Sequence, residues 1–294
     1  MATRSDSPPR PTPKASPATL TVAVTTYRDA PLLCQCLQSV RRVYPSARLV
    51  AIADGWDHPA VREIADRHGA ECHYGERLFP LAKGTAMWRR YFALYRQRPT
   101  DYLFRIDTDT LFHRPLTNLP RGLCYFGSLQ EMEVLDRTQK VPFVQGGCIG
   151  FPAETVETIW SSGMLDDQAI NEHPHTTWGV GFSRYMPDRG LISVDKMMGY
   201  IAYRLGISAV RHEDIYSHWY VNKGNARPRH FAVTHPHKLP DCRSEIALDE
   251  QGSGAAPATL RCRDDLTPPI DPAWTGQFAQ PLVPPGVDWP AAGQ

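Results

Sequence analysis

The sequence predicts an α/β protein, with a mostly parallel central sheet flanked by helices, and three observations carry that expectation. Short β-branched apolar runs alternate with segments whose apolar residues recur at helical spacing. Repeated β-α-β units need right-handed crossovers, which set the strands parallel and cover them with helices. Polar clusters follow the predicted strands, and ligands in such sheets bind outside the strands' carboxyl ends.

The first buried strand is Leu20-Thr-Val-Ala-Val-Thr25. Leu33, Leu37, Val40 and Tyr44, with Cys36 beside them, form one face of a helix that Pro45 ends. A second strand, Leu49-Val-Ala-Ile-Ala53, runs into Asp54-Gly55. Val61, Ile64 and Ala65 mark a helix closed by Gly69, and Glu71-Cys-His-Tyr74 is a short third strand. A helix with Met87, Tyr91 and Leu94 on one face precedes the strand Tyr102-Leu-Phe-Arg-Ile106. Further on, Phe143 to Phe151 reads as a strand interrupted by Gly146-Gly147, which marks either close approach of a ligand or a β-bulge. Val194-Asp195 precedes the apolar stripe Met198, Ile201, Ala202 and Leu205, with Gly206 as C-cap. Phe231-Ala-Val-Thr234 is a last short strand, delivering His235-Pro-His237 to the same sheet edge.

Proline, 27 in all, clusters at the two ends of the 294-residue chain. It defines a leader over residues 1–18 and a tail over 250–294, leaving one domain over 19–249. The tail keeps Trp274, Phe278 and Trp289, so part of it is expected along the domain surface. Thirty-two Lys+Arg against 31 Asp+Glu leave a net charge of +1, which gives no basic excess for nucleic acid or an anionic membrane. No apolar run approaches the ~18–20 residues of a membrane helix, and the first residues show no secretory h-region. Seven cysteines without metal-knuckle spacing fit a reduced, cytoplasmic protein.

Asp107-Thr-Asp109 is the sharpest chemical feature. Two carboxylates one residue apart, directly after a buried strand, offer hard oxygen ligands to Mg²⁺ or Mn²⁺. Such an ion can bridge diphosphate oxygens and neutralise charge on a leaving group. The plain alternative is a solvated turn with Asp as a cap. Between Ala82 and Tyr95, Gly84 admits close backbone approach, and a helix N-terminus offers free N–H groups beside Lys83, Arg89 and Arg90. Asp195 stands at a helix start, where the dipole favours a carboxylate; it is either a general base or an N-cap. Asp166, Asp167 and Asp188 are weaker candidates for the base, since nothing around them fixes their direction.

Taken together, these segments resemble the GT-A-fold glycosyltransferases, of the broad family-two type. The resemblance rests on Thr25-Thr-Tyr-Arg-Asp29, Ile52-Ala-Asp-Gly55, Lys83-Gly-Thr-Ala-Met-Trp-Arg-Arg90 and Phe104-Arg-Ile-Asp-Thr-Asp-Thr-Leu111. It covers about Leu20 to Gly150 well and extends more loosely to Lys238. It implies a GT-A, Rossmann-like sheet whose nucleotide-sugar half is residues 19–112 and whose acceptor and catalytic half is 113–249. In this light Thr25, Tyr27 and Asp54 meet the nucleotide sugar, and Lys83, Arg89 or Arg90 help hold its diphosphate. Asp107 and Asp109 bind the metal, and the Gly146-Gly147 strand lies beneath the donor sugar. A late histidine joins the metal, His235 ahead of His237 and His218. The acid before Arg204-Leu-Gly206, here Asp195, is the base of an inverting transfer. The implied partners are a UDP- or GDP-sugar donor and a hydroxyl-bearing acceptor.

Three other classes compete with this reading. Nucleotidyl transfer uses a similar sheet but usually wraps the triphosphate in a Gly-rich loop, and Thr25 to Asp29 contains no glycine. A haloacid-dehalogenase-type phosphatase would need a threonine two positions after its second aspartate, whereas Thr110 follows Asp109 immediately. A non-catalytic nucleotide-sugar-binding module would not need Asp107, Asp109 and Asp195 together.

Overall fold

The structure is a computed structural model, and it describes residues 18–78, 84–134, 139–167, 170, 194–217 and 231–235. Lys83, Asp188, His218, His237, nearly all of the leader and the whole tail lie outside the described residues.

A β-α-β-α-β run opens the domain: β1 (Leu20–Thr26), α1 (Ala30–Val43), β2 (Arg48–Asp54), α2 (Pro59–Arg67) and β3 (Ala70–Gly75). It continues with α3 (Gly84–Gln97), β4 (Tyr102–Asp107), β5 (Leu111–Phe112), β6 (Cys124–Val134), β7 (Gln139–Pro152) and α4 (Ala153–Ser161). The last described elements are α5 (Val194–Arg204), β8 (Ser208–Arg211), β9 (Ile215–Ser217) and β10 (Val233–His235). Seven strands form the central sheet in the order β3-β2-β1-β4-β7-β6-β8. β3, β2, β1 and β4 are mutually parallel, β7 runs antiparallel to β4 and β6, and β8 is parallel to β6. This is the mostly parallel sheet flanked by helices that the sequence predicts.

The strands read as continuous apolar runs because both faces are covered. Val22, Val24, Phe104 and Ile106 face α1 and α2, packing with Leu33, Leu37, Val61 and Ile64. Ala23, Val50 and Leu103 face the other way, toward Trp88, Tyr91, Met198 and Ile201 of α3 and α5. Burying one such leucine or phenylalanine side chain is worth about 1.5–3 kcal/mol, so both layers hold the sheet edge in place. Gly206, at φ +67°, ends α5 as expected, with the Ile207 N–H reaching back to the Ala202 carbonyl at 2.8 Å.

Gly146-Gly147 does lie in a bulge. The β6–β7 register jumps between Gly127↔Ile149 and Leu129↔Val144, so residues 145–148 of β7 stand opposite Ser128 alone, while Cys148 keeps its pairing with Ile106 of β4. A second, three-stranded sheet, β5-β10-β9, sets β10 antiparallel to β5 and parallel to β9. It welds the late chain to the segment just after β4. Among the described residues, Cys36, Cys72, Cys124 and Cys148 are free thiols. No helix among the described residues is long and apolar enough to cross a membrane.

Candidate active site

β4 ends at Asp107, and a tight turn follows in which the Thr110 N–H returns to the Asp107 carbonyl at 3.2 Å. The Thr110 hydroxyl donates to the Gly147 carbonyl at 2.6 Å, pinning the turn to the β7 bulge. β10 then brings His235 alongside. One ligand atom each from Asp107, Asp109 and His235 falls within 4.8 Å of the others. His235 Nε2 lies 3.4 Å from Asp107 Oδ2 and 3.2 Å from Asp109 Oδ1, while its Nδ1 lies 3.1 Å from the Ser217 hydroxyl. Ser217 is the register partner of His235, so the paired strands themselves aim Nε2 at the carboxylates.

The electrostatics match this geometry. Burial alone would press the His235 pKa down, but Asp109 and Asp107 outweigh it and raise it to about 9. Burial pushes the Asp107 carboxyl up, yet the Arg105 guanidinium and His235 prevail and hold it below its ordinary value. The cluster, with Asp109 and His235 buried and Asp107 partly exposed, therefore favours positive charge.

Arg105 is part of that cluster. Its Nη2 lies 2.7 Å from Asp107 Oδ1, and its Nη1 donates to the Gly146 carbonyl at 2.7 Å. The Gly146 N–H in turn donates to Asp195 Oδ2 at 3.2 Å. Asp195, in the first turn of α5, also accepts from the Lys196 N–H at 3.0 Å through Oδ1. Gly146 thus links the candidate base to the carboxylate cluster. Gly147 serves packing: a Cβ there would overlap the His235 ring and lie 2.5 Å from the Ser217 hydroxyl.

Of the other predicted residues that are described, Thr25 and Tyr27 stand at the end of β1 and Asp54 at the end of β2. Asp54 Oδ1 accepts from the Leu78 N–H at 2.8 Å and from Arg90 at 3.0 Å. The Arg77 guanidinium lies 3.0 Å from the centre of the Tyr27 ring, and that of Arg28 lies 5.2 Å away. Thr25, opposite Asp107 in the β1–β4 register, hydrogen-bonds through its hydroxyl to the Tyr91 hydroxyl. Arg89 and Arg90 part company. Arg90 turns to Asp54, whereas Arg89 pairs with Asp166 and stacks 4.9 Å over Trp160.

Sequence reasoning missed Arg105, Tyr91, Arg77 and Ser217. The signal for Arg105 was present: a cation inside an apolar strand, two residues before Asp107 and so on the same face. Ser217 sits in a three-residue strand too short to show periodicity.

No family model matches the sequence, and no curated protein matches it. Among solved structures, the chain is similar to the galactosyltransferase LgtC in complex with donor and acceptor sugar analogues. The match covers 81% of this chain and 97% of that one, at 12% identity and a TM-score of 0.43.

Proposed function

We propose that this protein is a metal-assisted glycosyltransferase, moving a sugar from a UDP- or GDP-sugar to a hydroxyl acceptor. The convergence of Asp107, Asp109 and His235 at the carboxyl end of β4 carries this reading. Two carboxylate oxygens with one imidazole nitrogen suit Mn²⁺ or Mg²⁺, and a cation taken up there would take the place of any proton on the ring, which leaves to solvent. Such an ion, when bound, supplies Lewis-acid neutralisation of the charge developing on the leaving diphosphate.

The chain's own side chains divide the remaining work. Asp107, Asp109 and His235 hold the ion, with Ser217 fixing the ring. Tyr27, Asp54 and Arg90 take the nucleotide end, with Lys83 and Arg89 as further diphosphate contacts, and Thr25, Gly146 and Gly147 border the sugar. Asp195 takes the proton from the acceptor hydroxyl as it attacks the anomeric carbon, which inverts that centre. The domain spans residues 19–249, its first part to 112 serving the donor and the rest the acceptor.

The test is a panel of UDP- and GDP-sugars with the full chain, with Mn²⁺, with Mg²⁺ and with chelator. Sugar release or transfer is expected with at least one donor, abolished by chelator and restored by Mn²⁺. Asp195→Asn removes the carboxylate while keeping the shape and one acceptor oxygen of the side chain in the first turn of α5, and should keep nucleotide and Mn²⁺ binding while turnover falls about 10²-fold or more. Near-wild-type turnover in that variant would remove Asp195 from the mechanism, and a protein that binds neither ion nor any donor would overturn the proposal.

A further inference from the structure

We infer that Arg105 is a positioning residue that fixes the metal carboxylate Asp107 and the base Asp195 relative to each other through Gly146; the functional meaning of this rests on the glycosyltransferase reading. The charged side chain of a residue only 6% exposed is costly to bury, and an apolar side chain would fill the same space without that cost. What an apolar residue, or lysine, cannot reproduce is the rigid fork.

Here the fork grips two different segments. One prong meets Asp107 Oδ1 at 2.7 Å, at the end of β4. The other meets the Gly146 carbonyl at 2.7 Å, in the β7 bulge. The amide of that same glycine holds Asp195 Oδ2 at 3.2 Å. A third support lies beneath, where the Tyr91 ring sits 5.9 Å from the guanidinium and its hydroxyl bonds Thr25, the register partner of Asp107.

Two consequences follow for the chemistry. By occupying Oδ1, Arg105 leaves Oδ2, the oxygen that looks toward His235, as the atom through which Asp107 would hold an ion. By holding the Gly146 peptide, it sets the distance between the leaving-group side of the site and the acceptor side. Displacing such groups by about 1 Å can cost about 10²-fold in rate.

The experiment compares the full chain with Arg105→Lys, whose single ammonium can reach one anchor only. In the metal-free protein, NMR-detected exchange of the Gly146 amide is expected to quicken about tenfold, the equivalent of one lost hydrogen bond, while the β1 amides of Val22 and Val24 keep their protection. In turnover, kcat is expected to fall about 10²-fold with the donor KM within about threefold. Should Arg105→Lys lose β1 protection, Gly146→Ala replaces it. Its Cβ would lie 3.2 Å from Arg105 Nη1 and 3.7 Å from Asp195 Oδ2, and the same kcat loss is expected. Unchanged Gly146 exchange in Arg105→Lys, or unchanged kcat in whichever variant stays folded, overturns the inference. A wild-type chain inert to every donor defeats the glycosyltransferase reading instead, and Gly146 exchange still decides the positioning role.

Discussion

The indole N–H of Trp88 donates to the carbonyl of Val194 at 2.8 Å, so α3 dictates where α5 begins. Asp195 is the next residue, and its placement inherits that bond. Trp88 is fully buried, with its ring edge-to-face against Phe151 at 5.5 Å. Trp88→Phe keeps much of the aromatic packing and removes the donor. It should cost about 1–3 kcal/mol of stability in urea unfolding and lower kcat more than it changes the donor KM. An unchanged kcat would show that α5 is anchored elsewhere.

Loss of the ion's ligands should be graded. Asp109→Asn and Asp107→Asn are expected to abolish Mn²⁺ binding measured calorimetrically on the full chain. His235→Ala should weaken it strongly, and Ser217→Ala, which frees the ring without removing it, about 10-fold to 100-fold. Binding that survives Asp109→Asn but not His235→Ala would invert this order.

Gly147→Ala tests the packing between the bulge and β10. The new methyl overlaps the His235 ring and crowds Ser217, both fixed by strand pairing. A cost of about 1–3 kcal/mol is expected, together with weakened Mn²⁺ binding. Retained affinity would mean that the ring can yield without leaving the carboxylates.

Acid sensitivity should trace in part to a pair far from the site. The buried Arg48 guanidinium donates to both oxygens of Glu71, at 2.9 and 2.6 Å, and these bonds lower the Glu71 pKa from 4.5. A depressed folded pKa gives stability that is present above 4.5 and lost as pH falls through the lower folded value. Glu71 is 35% exposed, so solvent screening keeps the effect modest. In unfolding curves between neutral pH and acid, Glu71→Gln should be less stable at neutral pH and show a shallower decline. Parallel curves for the two proteins would sink this assignment.

The parallel core was legible because β1, β2 and β4 are apolar on both faces, and the position of Asp107 and Asp109 followed from the end of β4. His235 was reachable because Phe231 to Thr234 reads as a strand. Sequence could not say which way Arg89 and Arg90 point, since neighbours on a helix diverge by about 100°. One therefore meets Asp54 and the other Asp166. Nor could it choose between bulge and ligand approach at Gly146-Gly147. A β6–β7 register is a long-range property, and the glycines mark only that the ladder breaks.

The small sheet that carries His235 has a consequence for biosynthesis. Every strand of the seven-stranded sheet is complete by Arg211, while the imidazole arrives only at the end of β10. A nascent polypeptide still tethered to the ribosome can thus finish its scaffold before it owns the third donor atom. On the proposed metal reading, chains truncated ahead of residue 233 would keep every strand of the central sheet, lose the buried Val233 and the His235 imidazole, and bind Mn²⁺ more weakly.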